Sequence, residues 1–193
     1  AAITGTGTAY VFWKGTNGAL YEATGPANGN LAGPTHLGMG PLGTAPTAGV
    51  DSAGNPYVYW TGTNKHLYEA YLTGTTWVGP VDRGLGPLGS LPTAAITGTG
   101  TAYVFWKGTN GDLYEATGPA TGSLAGPTDL GMGPLGTAPS AGVDSAGNPY
   151  VYWRGKGTSK NLYEAYLNGT TWVGPVNRSQ GPLGSRPTAA ISG

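Results

Sequence analysis

The stretch PYVYWTGTNKHLYEAYLTGTTWVGP, residues 56–80, is the unit that decides the fold. Two segments rich in aromatic and small residues lie on either side of a Gly-Thr-Asn turn, which is the pattern of a β-hairpin. Versions of the stretch occur four times, and each opens on Tyr-Val-(Phe/Tyr)-Trp. A repeat period of about 47 residues is in the range of β-propeller blades. The four copies begin at Tyr10, Tyr57, Tyr103 and Tyr150.

The repeats alternate between two kinds. Residues 3–60 recur with few changes at 96–153, so the chain reads as a duplicated pair of unlike repeats. Even repeats carry Trp77 and Trp172, whereas odd repeats have Leu31 and Leu124 near that point. Because the odd repeats lack these tryptophans, the fold itself does not require them.

Composition favours many short strands over disorder or helix. The chain has 37 Gly and 16 Pro, yet six Trp and twelve Tyr supply large apolar surfaces. The Gly and Pro therefore indicate turns, and no segment shows helical periodicity. We expect an all-β propeller of four-stranded blades, with a β-sandwich as the alternative. We expect the whole of 1–193 to form a single repeat domain, with blades at approximately 1–45, 46–91, 92–138 and 139–186 and an extra inner strand at 187–193.

The small-residue strand that opens each repeat occurs once more than the other strands. Four blades could close alone, or two chains could form an eight-bladed ring. We favour the homodimer, because an unpaired inner strand at an open edge promotes association. The copies of this strand begin at Ala1, Pro46, Pro92, Pro139 and Pro187.

Charge and cysteine content exclude several functions. Nine basic and nine acidic residues give a net charge of zero, which argues against nucleic acid and anionic membranes as partners. No apolar run approaches the roughly 20 residues of a membrane span, so membrane insertion is not expected. The lack of Cys removes disulfides and thiol chemistry. We expect no metal and no cofactor.

The hairpin resembles a known family. The residues Tyr57-Val-Tyr-Trp, Leu67-Tyr-Glu69 and Trp77 resemble the repeat of fungal fucose-binding β-propeller lectins, and Gly15-Thr-Asn-Gly-Ala-Leu20 resembles that of related bacterial propeller lectins. In the fungal family the sugar lies between neighbouring blades and is held by an Arg, a Glu and a Trp. This resemblance implies a multivalent carbohydrate-binding lectin whose partners are glycans. The sequence leaves the compartment open, and we favour an extracellular, secreted location.

Residue by residue, the resemblance identifies a partial site. The family's Glu corresponds to Glu69 and Glu164, and its Trp to Trp77 and Trp172. Its Arg is replaced by Tyr57 and Tyr150, which lack the forked charged donors of guanidinium, so fucose itself is not implied. In odd repeats Glu22 and Glu115 match the acid without the Trp. The second-strand residues Trp60 and Trp153 fit either blade packing or sugar stacking.

We expect the strongest sites in the even repeats, with Glu69 beside Trp77 and Glu164 beside Trp172. Four acids at one repeat position among nine in the chain is a regularity that surface solvation does not need. The alternative is a structural or protein-binding propeller without sugar affinity. A glycoside hydrolase is less favoured, because acid–base catalysis needs two carboxyls in different surroundings and the repeats offer one in nearly the same setting. We therefore expect a protein that is not an enzyme.

Overall fold

A computed structural model describes residues 1–191 and shows four sheets of four antiparallel strands each. No helix occurs within these residues, as the sequence predicts. Each sheet is one blade, with its strands in chain order from the inside outward. The strands are β1 (Ala2–Ile3), β2 (Thr8–Lys14), β3 (Leu20–Pro26) and β4 (Ala32–His36) in blade 1; β5 (Thr47–Val50), β6 (Pro56–Thr61), β7 (Leu67–Thr73) and β8 (Thr76–Asp82) in blade 2; β9 (Thr93–Ile96), β10 (Thr101–Lys107), β11 (Leu113–Pro119) and β12 (Ala125–Asp129) in blade 3; and β13 (Ser140–Val143), β14 (Pro149–Arg154), β15 (Leu162–Asn168) and β16 (Thr171–Asn177) in blade 4.

The hairpin between the second and third strands is closed by the Asn-containing turn. In blade 2, the backbone N–H of Lys65 donates to the carbonyl of Gly62 at 3.0 Å, and Gly62 N–H donates to His66 O at 2.9 Å. The side chain of Asn64 accepts the N–H of His66 at 3.1 Å. An Asn side chain that bonds its own backbone two residues on is the usual mechanism of such turns.

The pairing between the third and fourth strands shifts its register in every blade. In blade 2 the shift lies between Glu69 and Tyr71, so that Glu69 faces Val81 while Trp77 faces Leu72. The outer strand approaches the third strand closely after this point. Gly79 has φ of 136°, and a Cβ there would lie 2.9 Å from Cβ of Ala70. Only glycine fits this conformation without strain, and the irregularity fixes where the fourth-strand Trp emerges.

The cores lie between blades and are built on the second-strand tryptophans. Trp60, Trp106 and Trp153 are each 1% exposed. Trp60 stacks on Tyr68 with ring centroids 5.9 Å apart, and the equivalent pairs in blades 3 and 4 repeat this geometry. Buried offset stacks of this kind add to the energy of area burial. The regular aromatic pattern of the sequence is therefore explained largely by packing.

The inner strands follow one another around an arc, β1 beside β5, β5 beside β9 and β9 beside β13. The inner strand of blade 3 packs on blade 2, since a Cβ built on Gly49 would lie 2.5 Å from Cγ1 of Ile96. The four-bladed all-β fold predicted from the sequence is confirmed.

Residues 187–191 repeat this packing at the other end of the arc. Ala189 N–H donates to Ser140 Oγ at 2.9 Å. A Cβ built on Gly142 would lie 3.1 Å from Ile191, just as one on Gly49 would meet Ile96. Residues 187–191 form no strand pairing of their own. The extra inner strand at 187–193 remains a prediction, and its last two residues lie outside the described ones.

No helix within residues 1–191 is both long and apolar enough to cross a membrane.

Two isoleucines at equivalent positions of blades 1 and 3 allow a test of how the inner strand of one blade packs on the preceding blade. Ile96 is 7% exposed, whereas Ile3, which has no preceding blade to cover it, is 59% exposed. Ile96→Ala removes buried methylene groups and leaves a cavity, so it should lower the free energy of unfolding by about 2–5 kcal/mol. The matched Ile3→Ala should change it by less than about 0.5 kcal/mol. Denaturant melts of both variants measure this, and equal losses would contradict the arrangement.

Candidate binding site

Each blade buries one glutamate on its third strand. Relative exposure is 7% for Glu22, 0% for Glu69, 8% for Glu115 and 4% for Glu164. A buried carboxylate needs hydrogen-bond or ionic partners, because removing its charge from water costs far more than burying a neutral group. The blades supply these partners in two different ways.

In even blades the acid is paired within its own blade. The hydroxyl of Tyr59 donates to Oε1 of Glu69 at 2.8 Å. Arg83 donates through Nε to Oε2 at 2.6 Å and also through Nη2. In blade 4, Arg178 donates to Oε2 of Glu164 through Nη2. Charge-assisted pairs of this kind are the strongest side-chain hydrogen bonds.

In odd blades the acid is paired with the next blade. Trp172 of blade 4 donates its indole N–H to Oε2 of Glu115 at 3.2 Å. The indole of Trp77 lies near Glu22 at the equivalent place, where burial raises the pKa of that acid and hydrogen bonding to the indole opposes the rise. Each indole stands edge-on to a phenylalanine, with centroids 5.5 Å apart and planes at 87° for Phe12 and Trp77. A carboxylate and an indole from two blades therefore meet in one crevice, and they do so twice.

This arrangement corrects the expectation that the acid and the Trp of one even repeat lie together. Trp77 contacts Glu22 of the preceding blade, whereas the hydrogen bonds of Glu69 go to Tyr59 and Arg83. The physical reason is the register shift, which turns the fourth-strand Trp toward the neighbouring blade. The acid–indole pairs are thus formed between repeats.

The crevice between blades 2 and 3 differs from the other two. Leu124 stands where the next blade would present a Trp, and it packs against the cluster that contains Tyr57 and Tyr59. An apolar side chain offers no donor to Glu69. This crevice is therefore closed by packing, and Glu69 stays fully buried.

The remaining sequence-predicted residues have structural partners. Tyr57 donates to Asp51 Oδ2 at 3.0 Å, and Tyr150 makes a longer contact of 3.4 Å to Asp144. These aspartates anchor Asx-type turns, as Asp51 does by accepting the Asn55 N–H at 2.9 Å. Trp60 and Trp153 belong to the cores described above, so the structure favours packing over sugar stacking for both.

Burial raises the pKa of the odd-blade acids. The pKa of Glu22 and of Glu115 lies above the ordinary value of 4.5, because desolvation outweighs the single indole hydrogen bond that opposes it. Burial also raises the pKa of Glu69, although Arg83 and Tyr59 oppose this shift. Odd-blade acids thus have spare capacity to accept hydrogen bonds, and a donor that enters the crevice would stabilise their charge.

Sequence reasoning missed the arginines that pair the even-blade acids. Arg83 and Arg178 stand just after the fourth strand, where odd blades have Leu37 and Leu130. The hydroxyl groups that bond the same acids come from Tyr59 and Tyr152, where odd blades have Phe12 and Phe105. The signal was present, because Tyr and Arg occur together in even repeats and are lost together in odd ones.

The fold is shared with solved lectins. BP39L lectin from Burkholderia pseudomallei aligns with a TM-score of 0.76 at 21% identity, over 96% of this chain and 56% of that one. AofleA from Arthrobotrys oligospora aligns at 0.70 and 14% identity, over 91% and 56%. The lectin of Aleuria aurantia, described as a six-bladed β-propeller with a novel fucose recognition mode, aligns at 0.66 and 17%, over 98% and 62%.

The chain is thus a four-bladed segment of β-propeller fold, and it spans somewhat more than half the length of the lectins it resembles. No protein-family model matches the sequence, and no curated protein does. The identities establish the fold. The resemblance of the hairpin residues to β-propeller lectins is therefore confirmed for the fold.

The raised pKa of Glu115 has a measurable effect on stability. A folded-state pKa above the unfolded value means that the folded protein binds more protons, so this group's contribution is complete below about pH 4.5 and is lost as the pH rises through the folded-state pKa. Glu115→Gln should therefore flatten the decline of the melting temperature over that window. Melting curves between pH 4 and 8 measure this.

Asp144→Asn provides a control of opposite sign. Hydrogen bonds from Asn148 lower the pKa of Asp144, so that its contribution appears as the pH rises. A Glu115→Gln profile parallel to that of the unmodified chain would contradict the assignment.

Proposed function

We propose that this protein is a multivalent carbohydrate-binding lectin whose principal sites are the crevices between blades 1 and 2 and between blades 3 and 4. One observation carries the proposal: a carboxylate with unused acceptor capacity meets an indole from the neighbouring blade, at Glu22 with Trp77 and at Glu115 with Trp172. The half-buried indole offers an apolar plate for sugar C–H groups, and the carboxylate accepts hydroxyl hydrogen bonds.

Solved neighbours support this function by what they bind. The SapL1 lectin was determined with α-methyl fucoside, and it aligns with a TM-score of 0.63 at 19% identity. The Aleuria aurantia lectin was determined with fucosyl-GlcNAc, and it aligns at 0.63 and 18%. For this chain we propose a glycan partner without assigning fucose. Arg83 and Arg178, the guanidinium groups nearest the acids, already serve Glu69 and Glu164.

The even-blade acids are weaker candidates than the odd-blade acids, and only Glu164 lies beside an open crevice. Glu69 is fully enclosed, whereas Glu164 faces a crevice that no other blade of the same chain covers, and its partner Arg178 is 48% exposed. A sugar there would compete with the arginine for the carboxylate. We therefore place the odd-blade acids first and the even-blade acids second.

Weak single sites suit a repeated architecture. A charge-assisted hydrogen bond contributes a net of only about 1.5–3 kcal/mol, because water is displaced when it forms. A partner that displays many sugars raises the avidity of several sites on one rigid body by roughly 10²–10⁴. Binding of this kind breaks no bond, and the chain is proposed to bind without turnover.

Glu22→Gln combined with Glu115→Gln should weaken glycan-array binding by about tenfold or more, because a neutral amide replaces the charged acceptor. Trp77→Leu with Trp172→Leu, which installs the residue found in odd blades, should weaken it to a similar degree. Melting temperatures measured in parallel show whether each variant is folded.

Glu69→Gln with Glu164→Gln is the matched control. It should lower the melting temperature, because Arg83 then loses its charged partner. It should weaken glycan-array binding less than the odd-blade pair does. If this pair abolished binding while the odd-blade pair left it intact, the ranking of the sites would be reversed. If neither pair affected binding, the acids would be excluded as ligands.

A homodimer is proposed as the way in which the open arc closes. Residues 187–191 repeat the inner-strand sequence of Pro92–Ile96, and they lie against blade 4 as β9 lies against blade 2. In a dimer this segment would take the place of β1 in the second copy, which pairs with β2 only through Ala2 and Ile3. Two arcs then form an eight-bladed ring. We favour this closure because it pairs an otherwise unpaired strand.

Native mass spectrometry of this chain should show a dimer. Ala190→Pro, which prevents a ladder hydrogen bond in the 187–191 segment, should shift the population to monomer. Ala95, the equivalent residue of β9, is buried and pairs with Tyr103, and it shows the surroundings that Ala190 would have in the dimer. A monomer for the unmodified chain at micromolar concentration would contradict closure by a second copy.

A further inference from the structure

Three successive blades together line a cavity of about 520 Å³ at the ends of their second-to-third-strand hairpins. Its charged residues are Lys65 of blade 2, Lys107 of blade 3 and Lys156 of blade 4, and we call it the lysine cavity. Leu88 and Leu135, both buried, lie in its wall. The acids of the proposed sugar crevices do not line it.

Positive charge in this cavity is not neutralised by its lining. No carboxylate belongs to the lining, and none of the three lysines forms an ion pair within residues 1–191. Asn110, which lines the cavity, contacts the carboxylates of Asp112 and Asp129. The amide of Asn110 donates to them at 2.9 and 3.2 Å. The ammonium groups therefore remain available to an anion.

Several backbone donors around the cavity are already used. The N–H groups of Gly89, Gly111 and Gly136 donate to carbonyls at 2.9, 3.1 and 2.7 Å. The donors left for a ligand are the lysine ammonium groups, the hydroxyl of Thr109 and the backbone N–H groups of Thr109 and Asn110, which make no hydrogen bonds within the described chain. The lysines are the charged donors among them.

Lys65 occupies a backbone conformation that lysine seldom adopts. Its φ is 65°, whereas the equivalent residues of the odd blades, Gly18 and Gly111, have φ of 80° and 97°. A side chain in this left-handed region costs free energy that glycine does not incur. Blade 2 thus retains a charged side chain at the cavity where glycine would fit with less strain.

We propose that the lysine cavity binds a sulfate or phosphate group, carried as an ester on a saccharide or free in solution. Three ammonium groups from three blades match an oxyanion with several acceptor oxygens. The volume is many times the roughly 30 Å³ of one water, so a sugar ring that bears the group also fits. This site is distinct from the Glu–Trp crevices, and it adds acidic saccharides to the ligands of the chain.

Titration calorimetry with a sulfated disaccharide, its desulfated counterpart and inorganic sulfate tests the proposal. At about 50 mM salt the sulfated disaccharide should bind and the desulfated one should not bind at this site. Raising the salt to about 0.5 M should weaken binding, because exposed charges are then screened over a few ångströms. If inorganic sulfate binds as tightly as the sulfated disaccharide, the free ion is the ligand; if it binds more weakly, the ester is.

Matched variants localise the site. Lys107→Gln with Lys156→Gln should weaken binding of the sulfated disaccharide about tenfold, and Lys65→Gly by about threefold. Lys160→Gly removes the same charge from the equivalent turn position of blade 4, where φ is 46°, and Lys14→Gln does so at the blade 1 counterpart of Lys107. Neither control residue lines the cavity, so both variants should bind within about twofold of the unmodified chain.

Equal losses in the control variants would show attraction to general surface charge and would overturn the proposal, as would absence of sulfate-dependent binding at low salt. The Glu22→Gln with Glu115→Gln chain separates this site from the proposed lectin function. It should keep sulfate-dependent binding while it loses neutral glycans.

Discussion

Every blade of this propeller buries a carboxylate at one position of its third strand, and the need to satisfy that charge shapes the rest of the molecule. An ionised group withdrawn from water without partners is unstable, so each blade must provide them. Even blades do so internally, with a tyrosine and an arginine around Glu69 and Glu164. Odd blades have phenylalanine and leucine instead, so that Glu22 and Glu115 depend on an indole from the neighbouring blade.

Because even and odd blades supply the partners of the buried carboxylate differently, the crevices between blades also differ. Where the acid is served within its blade, the next blade fills the gap with Leu124 and the crevice closes. Where it is served from across the gap, a half-buried indole and an acid with unused acceptor capacity face one crevice from two sides. The duplicated pair of repeats thus produces two like crevices on one rigid body, which is the arrangement that multivalent binding of weak ligands needs.

The sequence was sufficient for the fold, because the period of the hairpin, its Asn turn and the alternating strands all act locally. It also directed attention to the four buried acids and the two fourth-strand tryptophans, whose role in binding remains a prediction. It did not predict which acid each tryptophan meets. That pairing depends on the register shift after Glu69 and on the twist between blades, which direct Trp77 across the gap. Arg83 and Arg178 could have been found from their co-occurrence with Tyr59 and Tyr152, whereas the closing role of Leu124 required the three-dimensional packing.

The most direct test of this account is the number of sugars bound per chain. For the glycan that binds best on an array, titration calorimetry should give two equivalent sites on each chain, one for each crevice that holds an acid with an indole from the next blade. A stoichiometry of four would mean that Arg-paired acids bind equally well. A saturable ligand that binds without changing the fluorescence of Trp77 and Trp172 would contradict the interblade site altogether.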